Sequence, residues 1–173
     1  MSMIDDLVLA PTRQNWKLNG DYAAALVEGL DESHKVAQPP GTFARPVNHP
    51  GWILAHLNAY HPLIAGLLRG KTPEDPIDHP YGRKSQVLLD ADAYPSMTEL
   101  VESFTSGHAD VTAALGETSE AILSREMPIV RFRERFPLVG SCLAYLVVRH
   151  ESLHLGQLST WRRTMGLAPT ATS

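Results

Sequence analysis

Apolar residues recur at helical spacing along four stretches of this 173-residue chain, and no long alternating pattern of the strand type appears. The first stretch runs from about Thr12 to Asp31 and aligns Trp16, Asn19, Ala23, Leu26, Val27 and Leu30, although Gly20 and Gly29 weaken it. The second, from about Pro50 to Arg69, places Ile53, His56, Leu57, Tyr60, Ile64 and Leu67 on one face. Pro50 suits a first helical turn and Gly70 the position after the last. Pro62 removes the backbone bond to Asn58 and predicts a kink. The third stretch opens on Ser96-Met97-Thr98-Glu99, a capping box in which Ser and Glu satisfy each other's free N–H groups. It continues through Leu100, Val101, Phe104, His108 and Val111 to Leu115, then stops at Gly116. The fourth, from about Leu138 to Met165, is closed by Gly166. Its inward stripe reads Val139, Cys142, Leu143, Leu146, His150, Leu153, His154, Gln157, Trp161 and Met165.

Four such helices make an all-α four-helix bundle. Between the second and third lie about 25 residues carrying Pro73, Pro76, Pro80 and Pro95, an uncommon length for a structureless link. In a bundle roughly 30 Å long this is enough chain to return from one end to the other. The second and third helices are therefore expected to run parallel, joined by a long crossover. The segment from Glu117 to Pro137 reads as a short helix and then a basic loop with Arg131, Arg133 and Arg135. No repeat, low-complexity tract or linker divides the chain, so residues 1–173 are expected to form a single domain.

Composition narrows the partners. Fifteen Lys and Arg against 19 Asp and Glu give a net charge of −4, the wrong sign for a protein dominated by phosphate contacts, and nucleic acid is not an expected partner. No apolar run approaches the roughly 20 residues of a membrane span, and the opening MSMIDDLVLAP lacks the basic start of a signal peptide. A cytoplasmic protein without membrane contact is expected. The single cysteine, Cys142, excludes an internal disulfide and a cysteine-rich zinc module, and its place on the inward stripe reads as core.

The eight histidines are unevenly placed. His34, His49 and His79 sit in expected loops and read as solvated; His61 faces away from the stripe of its helix and reads as surface. His150 and His154 are four apart, on one helix face, and point along the apolar stripe. His56 occupies the stripe of the second helix. Three imidazoles in one small core need partners. Each could bond to backbone or water; one divalent metal, accepting imidazole nitrogen at about 2.0–2.1 Å, would satisfy all three. If the second and fourth helices are antiparallel neighbours, the three side chains converge at one depth. His108, on the stripe of the third helix, reads as a half-buried imidazole with its own hydrogen bond, and secondarily as a proton carrier in the pocket.

His150-Glu151-Ser152-Leu153-His154 matches the zinc-peptidase string H-E-x-x-H. From Leu155 onward, however, there is no Asp, Glu or His to act as a third ligand, and the peptidase reading is rejected. Glu151-Ser-Leu-His154 also matches half of a di-iron bundle. The second E-x-x-H and the further inward carboxylates are missing, so that reading fails too. Glu151 stands as a candidate base or metal-side partner, with a solvated or interface position as the alternative.

Trp52-Ile-Leu-Ala-His56-Leu in the second helix resembles the DinB/YfiT-like family of helical-bundle proteins. So does the block His150-x-x-x-His154-x-Gly156-Gln157-Leu158, followed by Arg162, Arg163 and Gly166-Leu167. The resemblance implies a crossover four-helix bundle, commonly a homodimer, with one divalent metal ion, most often zinc or nickel. It assigns the ligands to His56, His150 and His154. It further implies chemistry on low-molecular-weight thiols, as a transferase or isomerase, or hydrolysis. Pro62 and Glu151 depart from the family pattern without removing a ligand.

Three neutral ligands leave metal positions open, the layout of a catalytic site. The expected function is a metal-dependent enzyme that activates a small thiol or water against an electrophile. Glu151 and His108 are its candidate catalytic residues, and Gln157 and Tyr60 line or support the pocket. Arg149, Arg162, Arg163 and the Arg131–Arg135 loop could hold a carboxylate-bearing thiol at the rim, or be ordinary surface residues. The alternative is a non-catalytic dimeric binding or stress protein with a structural or vestigial metal. A third reading has no metal at all.

Overall fold

Helices begin where the caps and prolines direct. The computed structural model describes residues 5–41, 44–168 and 170; the first four residues, read above for a leader, lie outside them. A π-helical turn, Asp5–Leu9, leads into α1 (Ala10–Val27), which buries Trp16, Asn19, Ala23 and Leu26. α2 (Pro50–Leu68) starts with Pro50 in its first turn and is capped by His49, whose Nδ1 accepts the Trp52 N–H at 3.2 Å. It runs on past Pro62, which is exposed. α3 (Met97–Glu117) carries the expected Ser96/Glu99 capping box. The link that follows contains two single turns, α4 (Glu120–Leu123) and α5 (Val130–Arg133). The last rod, α6, is continuous but not uniform: α-helical Val139–Leu143, π-helical Ala144–His150, then α-helical Glu151–Thr164. Among the described residues there is no strand, only an isolated bridge between Glu126 and Leu138. No helix among them is long and apolar enough to cross a membrane.

The contacts fix the topology. Asn58 meets Leu100, His61 meets Phe104 and Arg69 meets Asp110 and Glu117, so α2 and α3 run parallel. Arg13 meets Leu115 and Trp16 meets His108, so α1 and α3 are antiparallel. Asn19 meets Glu151 and Arg162 meets the Leu26 carbonyl, a parallel pair, whereas Trp52 with His154 and Tyr60 with His150 make α2 and α6 antiparallel. The bundle is up-down-down-up, as the long crossover requires.

That crossover is zipped onto α2. Its Pro73 packs at Gly66, and the Tyr81 carbonyl accepts from His56. Further on, Ser85 Oγ accepts from Trp52 Nε1 at 3.1 Å and the Leu88 carbonyl accepts from His49 Nε2 at 2.8 Å. The partners ascend along the crossover while they descend along α2. The segment therefore returns antiparallel on the outer face of that helix, and His49, expected in solvent, is fully buried beneath it.

Two apolar clusters fill the interior. One holds Trp16, Leu63, Leu67, Val111, Leu115, Met127 and Leu146; the other holds Leu26, Leu54, Leu57, Leu100, Leu158 and Trp161. Between them every long helix presents polar groups: Asn19 from α1, His56 and His61 from α2, His108 from α3, and His150, Glu151 and His154 from α6. The bundle has a polar waist.

Candidate metal centre

The waist divides into two groups. Toward the crossover, His56, His150 and His154 bring one nitrogen each to within 4.8 Å of one another. His56 Nε2 lies 3.1 Å from His150 Nε2. The other ring nitrogens explain how the rings are set. His56 Nδ1–H donates to the Tyr81 carbonyl at 2.6 Å. His154 Nδ1–H donates to Gln157 Oε1 at 2.9 Å, an oxygen that also accepts from Asn48 Nδ2 at 2.9 Å. Both Nε2 lone pairs are thereby left facing inward. Tyr81 is held in place by the turn that follows it: a Cβ on Gly82 would come within 1.8 Å of the Pro76 carbonyl oxygen.

Burial keeps these rings neutral. It lowers His56 to about 4, helped by the nearby His154, and lowers His150 to about 2, with His154 and His56 adding to the effect. His154 is lowered too, again chiefly by burial, against the Gln157 hydrogen bond. Three neutral imidazoles, each bringing one nitrogen into the cluster, form a nitrogen donor set for a divalent metal. Tetrahedral bonds of about 2.0–2.1 Å would set ligand atoms roughly 3.3–3.4 Å apart, close to the 3.1 Å between the His56 and His150 nitrogens. The residues present fit the ion.

The cluster opens on a cavity of about 340 Å³. Trp52 stacks on His56 with ring centroids 4.7 Å apart. Tyr60 leans on both His56 and His150, at 4.9 and 4.8 Å, and burial raises its hydroxyl above the usual tyrosine range. Phe136, Tyr145 and the side chains of Arg83, Arg131 and Arg135 form the remaining wall.

The second group sits toward α1 and α3. Glu151 is only 2% exposed and does not line the cavity. Its Oε2 accepts from Asn19 Nδ2 at 3.0 Å, and its Oε1 lies 3.9 Å from His61 Nε2 and 3.8 Å from His108 Nε2. Burial pushes its carboxyl up to about 7. His61, read from sequence as a surface residue, is 3% exposed and finds no hydrogen-bond partner for either ring nitrogen among the described residues. His108 stacks on Trp16 at 4.2 Å, donates from Nε2 to the Trp16 carbonyl at 3.0 Å, and lines a groove between α1 and α3. The structure thus places Glu151 and His108 away from the histidine triad, and Gln157 and Tyr60 against it.

Other sequence candidates sort cleanly. Arg162 is buried and donates to the carbonyls of Leu26 and Glu28, closing the end of α1. Arg163 donates to Ser159, and neither lines the cavity. Pro62 lies outside the cavity wall. Cys142 is fully buried, and burial pushes its thiol up to about 12, in keeping with a core residue. Sequence reading missed Arg83, Asn48 and the Tyr81 carbonyl. Asn19, already on the inward stripe of α1, was the available hint of the second group.

Fold and cluster together define a helical bundle with a three-histidine site able to hold a metal. The profile of the DinB superfamily matches residues 16–158, and the chain belongs to that superfamily. No significant match is found among curated proteins or among solved structures.

Proposed function

We propose that the protein is a divalent-metal-dependent enzyme that activates a small thiol or water for attack on an electrophile. The observation that carries this reading is the convergence of three neutral imidazoles, two of them oriented by hydrogen bonds at Nδ1, on the floor of an open cavity. When bound, a zinc or nickel ion there would lower the pKa of a thiol or water in its open position, supplying a nucleophile at neutral pH.

The chain's own residues do the rest. Tyr81 and Gln157 lock the tautomers of His56 and His154, so that both rings offer Nε2. Trp52, Phe136 and Tyr145 supply apolar walls that exclude bulk water and strengthen charge interactions inside. The Tyr60 hydroxyl, held protonated by burial, is available to donate a hydrogen bond to an oxygen of the substrate. The expected assembly is a homodimer, which light scattering on the purified protein would check.

A second reading retains the metal without catalysis, in a binding or stress protein. It is favoured by the lining of the cavity, which among the described residues includes no Asp or Glu to act as a general base. Metal content of tag-free protein, beside a His150→Ala/His154→Ala variant, tests the common premise. About one ion per chain in the wild type and almost none in the variant is the expected result; no uptake after loading with zinc and nickel overturns both readings. A panel of thiols and electrophiles with loaded protein then separates them, since only the enzyme turns over.

A further inference from the structure

The cavity carries a charge pattern opposite to that of the whole chain. Acidic residues outnumber basic ones 19 to 15 overall, yet among the described residues three arginines and no carboxylate line this wall. Arg131 is neutralised, for its Nε and Nη2 hold the Asp75 carboxylate at 2.8 and 2.7 Å. Arg83 and Arg135 are not: among the described residues neither guanidinium has a hydrogen bond or an ion pair. Their sequence neighbours show the contrast. Lys84 pairs with Asp78 at 2.9 Å and Arg133 with Glu126 at 3.0 Å.

Arg135 instead lies over the rings of Phe136 and Tyr145, 5.4 and 5.6 Å from their centroids. Those contacts steady a guanidinium and leave its N–H groups open. The two arginines come from different non-helical segments, Arg83 from the crossover and Arg135 from the link between α5 and α6, and meet at one cavity. Two uncompensated cations beside an aromatic wall repel each other and focus a positive field into the cavity. A planar carboxylate, matched by the guanidinium fork, relieves that repulsion.

We propose that Arg83 and Arg135 form an anion-binding rim, and that the cavity takes a small organic carboxylate whose acid group rests on the rim while its other end reaches the histidines. The inference relies on the proposed function for that second end alone; the rim stands on the arginines.

The test uses cobalt-loaded protein and three thiols of similar size: 3-mercaptopropionate, 3-mercapto-1-propanol and cysteamine. Binding is followed by cobalt–thiolate absorption. The acid is expected to bind about tenfold more tightly than the alcohol at low salt, and the amine more weakly than both. High salt shrinks the preference. R83Q/R135Q, both exposed positions, brings the ratio of acid to alcohol affinity down to about one. Equal binding of acid and alcohol, or a preference that survives in the double variant, overturns the proposal. If the protein takes up no cobalt, the metal reading fails, and calorimetric titration of metal-free protein with benzoate and benzamide reads the rim by itself. Benzoate binding that disappears in R83Q/R135Q supports the rim, and equal behaviour of the two probes sinks it.

Discussion

Gln157 and Tyr81 decide which nitrogen two of the histidines offer. Without an acceptor at Nδ1, His154 is free to change tautomer or turn its ring, and its contribution to a shared ion weakens. Gln157→Leu is therefore expected to lower affinity for zinc or nickel about 10–100-fold while leaving one site per chain at saturating metal. Competition against a chromophoric chelator reads this, and an unchanged affinity would show that the hydrogen bond is incidental. Asn48 shares the same acceptor, so Asn48→Ala should act in the same direction and less strongly. Gln157 is legible in the sequence because it lies one turn beyond His154 on the same stripe. The Tyr81 carbonyl is not, since a backbone acceptor leaves no side-chain signature and reaches His56 only because the crossover lies along α2. Glu151 misleads for a related reason. Its offset from His150 turns it out of the triad, but α1 covers that direction and Asn19 meets it there.

α2 shows what stripe counting overlooks. Its sequence, PGWILAHLNAYHPLIAGLL, contains no charged residue, and a helix of that kind is buried on nearly every side. α3, α6 and the crossover surround it, which is why His61, off the stripe, is still in the core. The four helices, the Ser96/Glu99 capping box and the parallel α2–α3 pair are legible from periodicity, Pro and Gly positions and link length. The phase of α6 is not. The π-helical stretch Ala144–His150 has a wider turn than the 3.6-residue repeat assumes. Beyond it Leu153 is 54% exposed, whereas Glu151, Leu155 and Leu158 face inward. The close fit of α2 against α3 makes a prediction at this scale. A Cβ at position 107 would lie 2.4 Å from His61 Nδ1, and that side chain is only 3% exposed. Gly107→Ala should therefore destabilise by about 1–3 kcal/mol, overriding the roughly 1 kcal/mol that alanine offers a helix. Gly116→Ala in the same helix meets nothing within 4 Å and serves as the control, expected neutral or stabilising in urea unfolding.

Across the whole molecule, the polar waist separates two apolar clusters, and a different variant reads each of its halves. The triad half should respond to metal. An ion that binds only the folded chain stabilises it by about 2.7 kcal/mol at a hundredfold excess over Kd, a rise in Tm of several degrees for a chain of this size. That rise should vanish in His150→Ala/His154→Ala. In the other half, His61 and Glu151 respond to acid with opposite signs, and the His61 contribution is separable by substitution. Burial lowers this imidazole to about 4 from its ordinary 6.5. The titratable groups around it are Glu151 and His150 from α6 and His108 from α3, with Trp16 and Phe104 as aromatic neighbours. Glu151, raised to about 7, is itself protonated in acid and offers no counter-charge. Above pH 6.5 His61 is neutral in folded and unfolded chains and its contribution is constant. As the pH falls from 6.5 to 4, the unfolded chain takes up a proton that the folded imidazole refuses, so the His61 contribution to stability is lost; below 4 the loss levels off. Between pH 7.5 and 5 this amounts to about 2 kcal/mol. His61→Leu removes the proton acceptor while keeping an apolar side chain in the core. In metal-free protein, the unfolding free energy of the variant minus that of the wild type should rise by about that much on going from pH 7.5 to 5. Identical pH dependence in the two proteins would mean that the His61 ring takes up its proton without unfolding, and that the waist opens to water on the α3 side.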